Sequence, residues 1–137
     1  MSNLAELITR LENLFLDPYQ LALSDDLKQE AFRTSLAELN SVLGAGFCLE
    51  GLDGDSQSTL PEDHVPALLR GAAATVLEAV SFHSRSGYSN LPVEQPDITA
   101  WAHYLRQERD QMLNKLRLRS LAQAAASAWG TWEMGDD

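Results

Sequence analysis

The stretch Pro61–Arg85, PEDHVPALLRGAAATVLEAVSFHSR, constrains this chain more than any other. Val65, Leu68, Leu69, Ala72, Val76, Leu77 and Val80 recur at the spacing of one helix face. At the centre, Arg70-Gly71-Ala72-Ala73-Ala74 is made almost wholly of small residues. Small side chains let a second backbone approach closely, so the segment predicts a core helix crossed at short range by a neighbour. A polar link and a long charged helix follow it. This layout describes a helical packing unit built to assemble better than it describes an enzyme.

The remaining segments read as helices around that centre. Leu4, Leu7, Ile8, Leu11, Leu14 and Phe15 form an apolar stripe, with Asn3 as its N-cap and Glu6 as the reciprocal partner three residues on. Asp17-Pro18 ends it, because the residue before proline is pushed out of helical geometry. Ser24 caps a second helix, and Asp25 and Asp26 suit the positive end of its dipole. Leu27, Ala31, Phe32, Leu36, Leu39 and Leu43 make its buried face, and Gly44 and Gly46 stop it. Residues 47–60 read as a short β-hairpin, since Asp53-Gly54 favours a type I′ turn, with a mobile loop as the alternative because the second half is polar. The third helix starts at Pro61 or Glu62. A link from Ser86 to Gln95 leads to a fourth, capped by Asp97, with Ile98, Trp101, Leu105, Met112 and Leu116 on one face. The prediction is an all-α bundle of about four helices over 1–128, with an extended, acidic, Trp-bearing tail over 129–137.

Composition bounds the partners. The chain has 137 residues, enough for one domain with a real core. No apolar run approaches the ~20 residues of a membrane span, and the N-terminal MSNLAELITRLENLF lacks the basic start of a secretory signal. One cysteine, Cys48, precludes an internal disulfide framework and suits a reducing cytoplasm. Net charge is −10, and its distribution is uneven: residues 44–63 carry five acids and no base, whereas 101–128 carry five bases and two acids. So acidic a chain repels a phosphate backbone, which argues against sequence-reading of nucleic acid. The basic stretch reads as a solvated helix face or, functionally, as a contact for an acidic partner, including another copy's acidic face.

Catalytic and metal patterns fail on spacing. His64, His83 and His103 contain no i, i+4 pair, and one cysteine cannot build a zinc knuckle. Counted from Asp53, the twelfth position of a calcium loop is His64, not the required glutamate. Gly44-Ala45-Gly46 follows a helix and lacks a following GK[ST]. Cys48 has no neighbouring base in sequence and reads as a small apolar residue. Asp25-Asp26 and Glu62-Asp63 are explained by helix starts. No cofactor or metal is expected. Trp129, Trp132 and Met134, in a short acidic segment, read instead as anchors for a partner, with folding back onto the chain's own domain as the alternative.

The order of segments resembles the head-to-tail connector adaptor proteins of tailed bacteriophages. LAELITRLENLFLDP is similar to that family's short first helix with its acid-proline end, and SDDLKQEAFRTSLAELNSVL to its capped second helix. LPEDHVPALLRGAAATVLEAVSFHSR resembles its small-residue central helix, and DITAWAHYLRQERDQMLNKLRLR its long charged helix. Together these cover about residues 4–119; the hairpin and the Trp-bearing tail have no matched counterpart. The resemblance implies a structural virion protein and no enzymatic activity: a ring of copies, twelve in most members, under the portal protein. That ring extends the DNA channel and seats a stopper or tail-side neck protein. Genomic DNA would only pass through, past a repelling acidic lumen, and no membrane would be involved. The protein would sit in the virion neck, and in the host cytoplasm during assembly. Under this reading Trp129, Trp132 and Met134 hold the portal, while Gly71, Ala72, Arg106, Arg109, Lys115, Arg117 and Arg119 meet neighbouring copies. A small cytoplasmic helical regulator with a single protein partner is the alternative. An enzyme assembled from Cys48, Glu78 and His83 is the more distant one.

Overall fold

The computed structural model describes residues 2–17, 21, 23–85 and 96–135; side chains are described except at 83–85, 96–97 and 126–135. It is a helical bundle. Helix α1 spans Leu4–Leu11 and runs into a π-helical turn, Glu12–Leu16. Helix α2 spans Asp25–Leu43, α3 spans Val65–Arg85 behind a 3₁₀ turn at Glu62–His64, and α4 spans Pro96–Gly135. Pro18, the Ser86–Gln95 link and the Asp97 cap lie outside the described residues or side chains.

The caps form as the sequence predicts. Asn3 Oδ1 accepts from Glu6 N at 2.9 Å, and Ser24 Oγ accepts from Leu27 N at 3.3 Å. Gly44 takes the left-handed conformation that closes α2, at φ +63°.

Helix α3 is the axis of the bundle. Every residue of its predicted face is buried, and Ala67, Gly71, Ala73 and Ala74 are buried as well. By length and mean hydropathy the segment Glu62–Phe82 is long and apolar enough to cross a membrane. Here most of its apolar residues are enclosed by α1, α2 and α4, whereas Phe82 is 70% exposed. The close approach expected at its centre occurs within the chain. A Cβ on Gly71 would lie 3.1 Å from Arg109 Cδ of α4 and 3.3 Å from Ser35 Cβ of α2, and closer still to Ser35 Oγ. Ser35 Oγ in turn donates to Leu68 O at 2.9 Å. Gly71 is therefore where three helices cross. Gly71 and Ala72, expected between copies, are consumed by this internal crossing, and Ala72 has no exposed surface.

Three expectations are corrected. Along α1 the stripe predicts Leu14 inside and does not include Leu16, yet Leu14 is 57% exposed and Leu16 fully buried. The π-helical turn inserts an extra residue and rotates the face by about 100°, which moves burial from Leu14 to Leu16 while keeping Phe15 inside. Lys28 of α2 fastens that turn: its Nζ lies 2.9 Å from Glu12 Oε1 and 3.4 Å from Asp25 Oδ1. Burial pulls the Lys28 pKa down, but the two carboxylates outweigh it and the net shift is upward.

Residues 47–60 contain the expected turn without the expected strands. Asp53 and Gly54 both have positive φ, +54° and +80°, and Asp55 N donates to Leu52 O at 3.1 Å, which is a type I′ turn. No strand forms among the described residues. Two cross-loop backbone bonds, Thr59 N to Cys48 O at 2.9 Å and Gly51 N to Asp55 O at 3.0 Å, stand where a ladder would begin. Hydroxyls replace the rest: Cys48 N donates to Thr59 Oγ1, and Glu50 N to Ser58 Oγ, each at 2.9 Å. The polar half DSQST competes with ladder bonds through its side chains. Leu49, Leu52 and Leu60 plug the loop into the core.

The third correction concerns the C-terminal segment. The expected extended tail from residue 129 is instead helical through Gly135, a continuation of α4.

Candidate partner-binding surface

Helix α4 has 40 residues, about 60 Å at 1.5 Å per residue. Its first half packs on α3. Ile98, Ala102, Leu105 and Leu113 are buried, and Trp101, Met112 and Leu116 are partly buried against the core. Trp101 also stacks on Tyr104, with centroids 5.2 Å apart and planes 14° from parallel. From Arg117 to Ala125 every side chain is exposed. Leu118 and Leu121 are 53% and 58% exposed. At about 100° per residue, Leu118, Leu121 and Ala125 fall on the side of α4 roughly opposite Leu116. The apolar face thus changes sides as the helix leaves the bundle.

The basic residues of α4 divide in the same way. Arg106 holds Glu78 with two bonds, 2.9 Å from Nε and 2.8 Å from Nη2. Its pKa is raised by that pairing against an opposing effect of burial. Arg109 is buried, pairs with Glu38 of α2, and holds Asp110 at 2.9 Å. These two arginines, expected between copies, tie the bundle together instead. Arg119 reaches back to Asp63 at 2.7 Å. Lys115 and Arg117 have no ion-pair partner among the described residues.

Asp63 is the last tether between α4 and the bundle. Its other oxygen lies 2.7 Å from His64 Nδ1, and the Phe47 ring meets His64 edge-on at 5.3 Å. The His64 hydrogen bond, then the nearby charges of His64 and Arg119, hold the Asp63 pKa below the ordinary 3.8 despite an opposing effect of burial. Beside this tether lies a cleft of about 300 Å³, with Asp63 and Pro66 on one wall and Met112, Lys115, Leu116 and Arg119 on the other. A neighbouring hollow of about 310 Å³ extends it toward His64, Ser120 and Gln123.

Trp129, Trp132 and Met134 belong to α4 by backbone, and their side chains lie outside the described set. Cys48 is partly buried; its Sγ lies 3.6 Å from Gln57 O and 3.4 Å from Thr59 Oγ1. Glu78 is engaged by Arg106, and the side chain of His83 is undescribed. No cluster of three metal-ligating residues occurs among the described residues. Sequence reasoning missed the outward pair Leu118 and Leu121. The signal was present, since both fall out of phase with the Ile98-to-Leu116 stripe.

Compared with known families, curated proteins and solved structures, the chain matches none.

Proposed function

We propose that this chain is a structural assembly protein, a connector adaptor that forms a ring beneath a phage portal and joins capsid to tail. The observation that supports it best is the second half of α4, which leaves a fully packed bundle with an apolar face turned outward. A helix that only stabilised its own domain would bury that face. An assembly arm needs it exposed until a partner arrives. Trp129, Trp132 and Met134 would be the anchors of this arm on the portal, because buried aromatic residues carry most of the energy of such contacts. Lys115 and Arg117, with no ion-pair partner among the described residues, would meet acidic groups on a neighbouring copy. Arg119 would do so only after giving up Asp63. The net charge of −10 suits a channel lining that does not hold DNA.

Electron microscopy of the purified chain mixed with the portal protein encoded nearest to it tests this reading. The expected result is a ring stacked coaxially on the portal, lost when Trp129 and Trp132 are both replaced by alanine. A folded chain that leaves the portal bare would reject the connector and favour a soluble helical regulator.

A further inference from the structure

The cleft beside the Asp63 tether combines an apolar floor with an unmatched positive charge. Elsewhere on this side of the bundle the cations are paired: Arg106 with Glu78, Arg109 with Glu38, and Arg70 of α3 with Glu108 at 3.4 Å. Lys115, on the cleft wall, has no ion-pair partner among the described residues. Arg119, one turn further on the same wall, pairs with Asp63, whose other oxygen is taken by His64. Two cations and one carboxylate thus face this concavity, in a chain whose net charge is −10. The floor between them is Pro66, Met112 and Leu116, and the bundle covers Met112 and Leu116 only in part. The adjoining hollow shares Asp63, Leu116 and Arg119 with the cleft and adds Ser120 and Gln123. Those two side chains can bond a carboxylate or a backbone amide. From Met112 to Arg119 the trough follows α4 for about 10 Å, room for about three residues of extended peptide at roughly 3.3 Å each.

We infer that this trough binds a short acidic segment of a partner protein, with a carboxylate held by Lys115 and Arg119 and a neighbouring aliphatic side chain seated on Pro66, Met112 and Leu116. Charge complementarity selects the occupant. A wholly apolar segment would bury the two cations against nothing, which costs more than the floor returns. A phosphate backbone is repelled by the net charge of the chain and has no apolar group for the floor. Asp63 displays the chemistry from inside the chain, since it is a carboxylate already held by Arg119 at 2.7 Å. His64 first, and Arg119 after it, keep that carboxylate ionised to lower pH than usual. A ligand carboxylate would meet Lys115 unopposed and would compete with Asp63 for Arg119, so Asp63 sets an upper limit on affinity. The trough is formed within one chain and does not rest on the connector reading.

Nuclear magnetic resonance titration of the isotope-labelled full chain with blocked tripeptides tests the site. Acetyl-Leu-Asp-Leu-amide is expected to shift the Met112 methyl and the amides from Lys115 to Ser120 saturably. Acetyl-Leu-Asn-Leu-amide, which lacks the charge, and acetyl-Ala-Asp-Ala-amide, which lacks the aliphatic groups, should each bind about tenfold more weakly. Lys115→Glu breaks no ion pair among the described residues and should also lose about tenfold. Asp63→Asn frees Arg119 and should bind the aspartate peptide more tightly than wild type. The inference is overturned if no saturable shift occurs, if the shifts fall outside the trough, or if either control peptide binds as tightly as the first. A Lys115→Glu chain that binds like wild type, or an Asp63→Asn chain that binds no better, would overturn it as well. Ring formation on the portal is measured separately, so either idea can fail alone.

Discussion

The two halves of α4 use the same residue types to opposite ends. Between Ile98 and Leu116 its leucines face α3, and its arginines close ion pairs with Glu38 and Glu78. Beyond Arg117 its described leucines face away from the bundle, and Arg117 has no partner among the described residues. Composition barely changes along the helix; the phase of the apolar positions does. A side chain's role here is set by which side of one continuous helix it occupies, and the phase shift marks where core ends and exposed surface begins.

The sharpest way to break this contrast is to truncate one leucine in each half. Leu105→Ala should cost about 2–5 kcal/mol of stability by urea denaturation, the loss typical of a cavity in a packed core. Leu121→Ala, measured at a concentration where the chain is monomeric, should stay within about 0.5 kcal/mol of wild type. Equal costs would show that the second half is packed on the bundle. A smaller effect is expected at the crossing point. Gly71→Ala must push Ser35 or Arg109 aside and should cost about 1–3 kcal/mol, whereas Gly130→Ala, in the arm, should raise helicity. Removing the cap of α2 with Ser24→Ala should cost about 1 kcal/mol.

The smallest expected effect is the response to acid at the tether. The Asp63 pKa is depressed in the folded chain, so its contribution is fully present above the ordinary carboxylate pKa and is lost as pH falls through the lower folded value. Helicity of the arm, followed by circular dichroism from neutral pH into acid, should drop more in wild type than in Asp63→Asn, which has already lost the charge. Identical acid profiles would remove Asp63 from the account.

Much of the bundle is legible in the sequence because its signals are local. Asn3, Ser24 and Gly44 act within one turn, and the face from Val65 to Val80 needs only its own periodicity. The failures come from terms that local patterns omit. The π-helical turn after Leu11 resets the phase and exchanges Leu14 for Leu16. In the 47–60 loop Asp53-Gly54 makes the turn it predicts, but Ser58 and Thr59 satisfy the backbone with hydroxyls and no ladder grows. Gly71 correctly signals a close approach, yet sequence cannot say whether the approaching helix belongs to the same chain. Arg106 and Arg109 look like Arg117 until Glu38 and Glu78 are placed beside them. The tryptophan segment reads as a frayed tail because of Gly130 and its acids, whereas the alanines from 122 to 128 are strong enough helix formers to carry α4 through it.

Hydrogen exchange along α4, resolved by mass spectrometry on dilute, monomeric chain, tests the central claim most directly. Helices without tertiary packing are marginal in water, so the account predicts slow amides from Ile98 to Leu116 and a fast block beginning near Arg117. The fast block should slow when the chain is given a binding partner. Uniformly slow exchange to Ala125 at the lowest concentration would contradict the division of α4 into core and arm.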